Sequence, residues 1–123
     1  MLNGKTAIVT GSTSGIGLGI AKALAAEGCA VALNSRKANK ESDDLVAQIA
    51  KESGAKVVFA AAEMSVPDDI YKMVEFTAKE LGKVDIIVNN AGIQHVQPID
   101  EFPTDKWDMV LATNLSSAFH STK

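Results

Sequence analysis

Residues 5–28, Lys-Thr-Ala-Ile-Val-Thr-Gly-Ser-Thr-Ser-Gly-Ile-Gly-Leu-Gly-Ile-Ala-Lys-Ala-Leu-Ala-Ala-Glu-Gly, leave this chain few folds to choose from. Ala7, Ile8 and Val9 are an apolar run of strand length, closed by Thr10-Gly11. Residues 11–17 then form a Gly-x-x-x-Gly-x-Gly turn. From Gly15 the pattern becomes helical: Ile16, Ile20 and Leu24 recur every fourth position, and Gly28 stands where a helix-ending glycine belongs. Strand, glycine turn and helix in succession is the geometry of a dinucleotide phosphate site. Glycines let backbone N–H groups approach a pyrophosphate, and the helix N-terminus supplies partial positive charge. The same turn also serves as a plain αβ connection with no ligand, so the rest of the chain must discriminate.

That rest alternates strands with helices. Strand 1 is expected over about 5–10 and its helix over 15–27. Ala30-Val31-Ala32-Leu33 reads as a second strand, and a second helix runs from an Asn39 cap through Leu45 and Ile49 to Gly54. Lys56–Ala60 is a third strand. Ser65-Val66-Pro67-Asp68-Asp69 opens a third helix, with Ile70, Val74, Thr77 and Leu81 on one face and Gly82 at its end. Residues 84–88 form a fourth strand, 89–103 a loop, and Thr104 caps a last helix. Near-continuous apolar strands joined by helices predict an α/β fold, a Rossmann-type doubly wound parallel sheet. Right-handed crossovers favour the strand order 3-2-1-4, the N-terminal half of that fold. The fourth strand is then an open edge beside the ligand crevice. Helical pattern persists through His120-Ser121-Thr122-Lys123, so residues 1–123 are expected to be the N-terminal portion of a longer dinucleotide-binding domain.

Composition narrows the partners. A chain of 123 residues with 46% hydrophobic content and net charge −3 is one domain's worth of ordinary globular protein. Its basic residues are scattered and outnumbered, which argues against a nucleic-acid partner. No apolar run approaches membrane-spanning length, no leader is expected ahead of the first strand, and a cytoplasmic setting is the expectation. Cys29, the single cysteine, lies between Gly28 and the second strand and reads as a buried structural thiol. His95 and His120 have no cysteine or histidine cluster around them, so no metal site is expected. Gly4-Lys5-Thr6 lacks the earlier glycine of a P-loop, and the Asn114-Leu115-Ser116 sequon falls in a helix.

Two further segments suit a crevice. The fourth strand runs into Asn89-Asn90-Ala91-Gly92, small and amide residues at a carboxyl strand end. On the last helix Trp107, Leu111, Asn114 and Ala118 share a face, and an asparagine in an apolar stripe needs partners.

The Thr-Gly-x-x-x-Gly-Ile-Gly turn, Asn89-Asn90-Ala91-Gly92 and Asn114-Leu115-Ser116 together resemble the short-chain dehydrogenase/reductase family. The opening Gly-Ser-Thr-Ser-Gly-Ile-Gly-Leu-Gly-Ile-Ala, the stretch 89–95 and residues 101–108 are similar to its bacterial D-3-hydroxybutyrate dehydrogenases. The likeness covers the whole chain and is looser over 36–83. It implies an oxidoreductase that moves a hydride between NAD and D-3-hydroxybutyrate, giving acetoacetate, and an assembly of four subunits. It implies that Gly11, Thr13, Ser14, Ile16 and Gly17 follow the pyrophosphate and its ribose. Asn90, Ala91 and Gly92 would line the nicotinamide side, with Thr113 nearby. Gln94 would help hold the substrate carboxylate. Asn114 would be catalytic, holding a water in a proton relay to a lysine. Glu63-Met64 follows the third strand where the family usually has an adenine-bonding aspartate. The family's serine, tyrosine and lysine lie past residue 123, and Tyr71 is in the third helix, away from the crevice. Residues 1–123 by themselves are therefore expected to be inactive.

The cofactor draws two opposed expectations. Ser35 occupies the position of the acid that bonds the adenosine ribose, and Arg36 and Lys37 follow it. Read from the residues, Arg36 could fork onto a 2′-phosphate, which means NADP. The resemblance means NAD, since those enzymes too tend to lack the acid. An NADPH-dependent ketoreductase acting on a carbonyl or acyl-carrier-protein substrate is the alternative within the class. A non-catalytic nucleotide-binding module is the alternative outside it.

Overall fold

In the computed structural model, which describes residues 1–123, the elements follow the βα alternation. They are β1 (Thr6–Val9), α1 (Gly15–Ala26), β2 (Ala30–Ser35), α2 (Lys40–Ser53), β3 (Val57–Ala61), α3 (Pro67–Leu81) and β4 (Ile86–Val88). A 3-10 turn (Ile99–Glu101), α4 (Thr104–Leu111), a π-helical segment (Ala112–Ser116) and α5 (Ser117–Thr122) complete the chain. The strands form one parallel sheet in the order β3-β2-β1-β4. Ala7 pairs with Val31 and Ile86, and Leu33 pairs with Phe59.

Alternation along each strand divides the apolar side chains between two layers. Ala7, Val9, Val31, Leu33 and Val57 pack with Ala21 and Ala25 of α1 and Ile49 of α2. Ile8, Ala32 and Ala60 face the other way, onto Ile70 and Met73 of α3. Both faces of the central strands are thus buried, which is why these strands read as unbroken apolar runs. Cys29 is fully buried in the first layer, and that burial raises its thiol pKa, with a smaller contribution from the Asp85 charge.

Helix ends follow local chemistry. Asn39 Oδ1 accepts from the Ser42 N–H at 2.8 Å while Ser42 Oγ accepts from the Asn39 N–H at 2.9 Å, a reciprocal cap on α2. Gly54 and Gly82 end α2 and α3 in the left-handed conformation.

Helix faces depart from the expectation twice. The buried side of α1 is Gly17, Ala21 and Ala25, whereas Ile16 is 78% exposed and Ile20 and Leu24 lie at the flank. Small residues win because they let the helix axis settle close over Ala7 and Val9; a row of larger side chains would hold it off. On the last helix Trp107, Leu111 and Asn114 are exposed, and Thr113, Ser117 and Ser121 turn inward. The π-helical segment is responsible: its wider turn inserts a residue and rotates the face that follows. Pro103, not Thr104, stands at the N-cap of α4, and no side chain caps that end. β4 is also shorter than expected, because Asp85 is used otherwise. Its Oδ2 accepts the Thr6 N–H at 2.9 Å and its own N–H donates to the Thr6 carbonyl at 2.9 Å.

Candidate functional site

The sheet order reverses beside β1, where β2 leads to one side and β4 to the other, and a crevice is expected at the carboxyl ends of those strands. A cleft of about 170 Å³ lies there. Gly11 after β1, Ser35 and Arg36 at the end of β2, Glu63 and Met64 after β3, Ala91, Gly92 and Ile93 after β4, and Thr113 all line it.

Three buried polar residues, Thr10, Ser12 and Asn34, and the half-buried Asn90 hold the glycine turn in place. Thr10 Oγ1 accepts the N–H groups of Asn90 and Ala91, each at 3.0 Å. Asn90 Nδ2 donates to the carbonyls of Thr10 and Gly11, at 3.1 and 3.0 Å. Asn34 Oδ1 accepts the Gly11 N–H at 2.9 Å, and its Nδ2 donates to the Ala60 carbonyl at 3.0 Å. Ser12 Oγ accepts the Asn34 N–H at 2.9 Å. Sequence reasoning assigned no role to Thr10, Ser12 or Asn34. The available signal was Asn34 itself, a polar residue ending an apolar strand, since a buried amide must be hydrogen-bonded.

This clasp explains the glycines. Gly11 has φ of 60°, and a Cβ there would come within 3.0 Å of the Ala91 backbone. A Cβ on Gly17 would collide with the Asn90 amide and the Gly11 carbonyl. Asn90 thus turns its side chain under the turn rather than toward the cleft. Thr13 is half-buried, and Ser14, Gly15 and Ile16 are exposed on the turn and first turn of α1. Ser14 is the N-cap residue of α1 but its hydroxyl does not cap it. The first amide donors of that helix are therefore open to an anion.

Asn114 lies on the π-helical segment. Its Oδ1 accepts the Ile93 N–H at 2.8 Å and its Nδ2 donates to the Ile93 carbonyl at 2.7 Å. The amide pairs with the loop backbone as a neighbouring strand would, fixing the loop after β4 against the helix. One residue earlier, Thr113 is buried at the cleft wall and its Oγ1 has no hydrogen-bond partner. An orphaned hydroxyl at a cleft is a place for a ligand's polar group. Gln94 is exposed on the loop, outside the cleft lining. Met64 contributes only its edge, since its side chain is buried against α3. His95 pairs with Gln97 at 2.7 Å and stacks edge-on with Phe102. Tyr71 is bonded to His120 Nδ1 at 2.9 Å, between α3 and α5 and away from the cleft.

Open amide donors on α1, glycines whose Cβ positions are denied and an unpartnered hydroxyl fit the pyrophosphate and ribose of a dinucleotide. Comparison with known proteins agrees. The profile of the family described as short chain dehydrogenase matches residues 5–123. A D-beta-hydroxybutyrate dehydrogenase of Cupriavidus necator is 51% identical over 100% of this chain and 47% of its own length. One of Rhizobium meliloti is 44% identical over 97% of this chain and 46% of its own. The chain spans about half the length of these relatives. The solved structure of L-sorbose reductase from Gluconobacter frateurii, complexed with NADPH and L-sorbose, superposes with a TM-score of 0.92 at 30% identity, over 98% of this chain and 46% of that one. On sequence and fold alike, the chain belongs to the short-chain dehydrogenases.

Proposed function

We propose that the protein carrying this chain is an NAD-dependent D-3-hydroxybutyrate dehydrogenase, and that residues 1–123 are its cofactor-binding portion. The observation that carries the reading is Asn114, locked by both amide atoms to Ile93 at the rim of the cleft. The family resemblance makes Asn114 the catalytic asparagine, and its amide is bonded to a loop residue, Ile93, that is followed by Gln94. The 51% and 44% identity to two D-beta-hydroxybutyrate dehydrogenases supports the substrate.

NAD bound at the carboxyl ends of the strands would accept the hydride from the hydroxyl-bearing carbon. The amides opening α1 hold the pyrophosphate, and Gly11 and Gly17 keep the backbone low enough for it to approach. Thr113 Oγ1 offers a hydrogen bond at the cleft wall. Gln94 supplies an amide donor for the substrate carboxylate. Asn114 holds a water through its remaining hydrogen-bonding capacity, so that the proton released with the hydride has a path to solvent. The exposed apolar residues Leu115 and Phe119 support assembly into a tetramer through the last helix.

The test is initial-rate reduction of NAD by the intact protein with D- and L-3-hydroxybutyrate, gluconate and threitol as separate substrates. Turnover confined to the D-hydroxy acid is expected. Failure with D-3-hydroxybutyrate, alongside turnover of a sugar acid or polyol, would overturn the substrate. An NADPH-dependent ketoreductase is the second reading, favoured by Arg36 beside a β2 end that lacks an acid, and a preference for NADP above tenfold that Arg36→Ala abolishes would establish it.

A further inference from the structure

The ribose end of the cleft carries a charge pair that the proposed reaction leaves unused. At the end of β2, where an acid would meet the adenosine ribose, Ser35 donates its hydroxyl to the Lys37 carbonyl at 3.2 Å. The carboxylate at this end comes from the segment after β3 instead. Glu63 Oε2 lies 2.8 Å from Arg36 Nε, and Glu63 Oε1 accepts from Ser65 Oγ at 3.1 Å. The Glu63 N–H in turn donates to Asp69 Oδ2 at 3.0 Å, so both its backbone and its carboxylate are held. Arg36 and Glu63 both line the cleft. The arginine side chain is 78% exposed and the glutamate 32%, and a pair so placed contributes little to stability. What it does set is the local charge.

We infer that Glu63 is the residue that selects against a 2′-phosphorylated cofactor, with Arg36 as the positioning residue that fixes its carboxylate. The inference rests on the dinucleotide reading of the cleft. A ribose 2′-hydroxyl donates to the Glu63 carboxylate and leaves the Arg36 pair intact. A 2′-phosphate carries nearly two negative charges and meets a carboxylate of the same sign. Arg36 meets Glu63 through Nε alone, so a phosphate drawn to its terminal nitrogens sits beside a part-buried carboxylate of like charge. The acid missing from the end of β2 is thus replaced from the segment after β3, and the arginine that reads as a phosphate ligand already carries that carboxylate on its Nε.

The experiment is calorimetric binding of ADP-ribose and 2′-phospho-ADP-ribose to the intact protein, which reads nucleotide affinity without turnover. The unmodified protein is expected to favour ADP-ribose by at least about tenfold. Glu63→Gln, nearly the same shape, should tighten 2′-phospho-ADP-ribose by about tenfold while ADP-ribose weakens slightly, reversing or erasing the preference. Glu63→Asp should keep the preference for ADP-ribose. Adding Arg36→Ala to Glu63→Gln should remove the gained affinity, because the guanidinium, no longer offset by a carboxylate, is its source. Binding of ADP-ribose with a ratio that Glu63→Gln leaves unmoved would overturn this inference alone. Binding of neither nucleotide to the unmodified protein would overturn the dinucleotide reading and the inference together.

Discussion

Asn114 and Asn90 are both amides beside one cleft, and their partners separate them. Asn90 spends its nitrogen on the Thr10 and Gly11 carbonyls and holds the turn from beneath. Asn114 holds one loop residue and remains exposed at the rim, with capacity left for a water. Asn114→Ala in the intact protein is expected to lower kcat by about a hundredfold while the NADH dissociation constant stays nearly constant. Stopped-flow turnover and fluorescence titration check the two quantities separately. A variant that only melts at a lower temperature would make Asn114 a structural residue. The asparagine was legible in sequence as a polar residue needing partners, but those partners were not. They are backbone atoms of a loop 21 residues away, and backbone atoms leave no trace in residue identity.

Among the elements, ends were legible and faces were not. Asn39, Gly54 and Gly82 mark helix limits because a cap is a local chemical demand on one side chain or one φ angle. The buried face of α1 depends on how close a helix can come to a sheet. Ile16, Ile20 and Leu24 repeat at the same spacing as Gly17, Ala21 and Ala25, so periodicity alone cannot choose between the rows. The π-helical segment has no sequence signature at all. The start of β4 depends on Asp85, whose carboxyl pKa is lowered, chiefly by the Thr6 N–H and then by Lys83. A carboxyl depressed on folding stabilises the fold above its unfolded pKa of about 3.9 and loses that contribution as pH falls through the lower folded value. Asp85→Asn is therefore expected to melt below the unmodified protein at pH 7, with the difference shrinking below about pH 4. Thermal melts across that range check it, and a gap that stays constant into acid would refute the carboxylate's part.

Across the whole molecule, β4 pairs only with β1, and its other edge has no partner strand among these residues. Tyr71, the single tyrosine, is committed to His120 outside the cleft. Residues 1–123 expressed alone should therefore give no NADH from D-3-hydroxybutyrate and should self-associate through the open edge. Turnover by that purified piece, or a strictly monomeric profile on sedimentation, would contradict this. The sheet order itself was legible, because alternating elements and right-handed crossovers leave few topologies.

The Thr10–Asn90 clasp joins residues 80 positions apart, and this separation has a consequence for timing. β1 is the first strand synthesised, yet it lies between β2 and β4 and cannot be flanked on both sides until residue 88 has left the ribosome. At typical translation speeds β1, already paired with β2, waits roughly 3–10 s after β2 is complete with its other edge bare. During that interval the glycine turn has no Asn90 beneath it, so nascent chains shorter than about ninety residues should engage a chaperone and not a nucleotide.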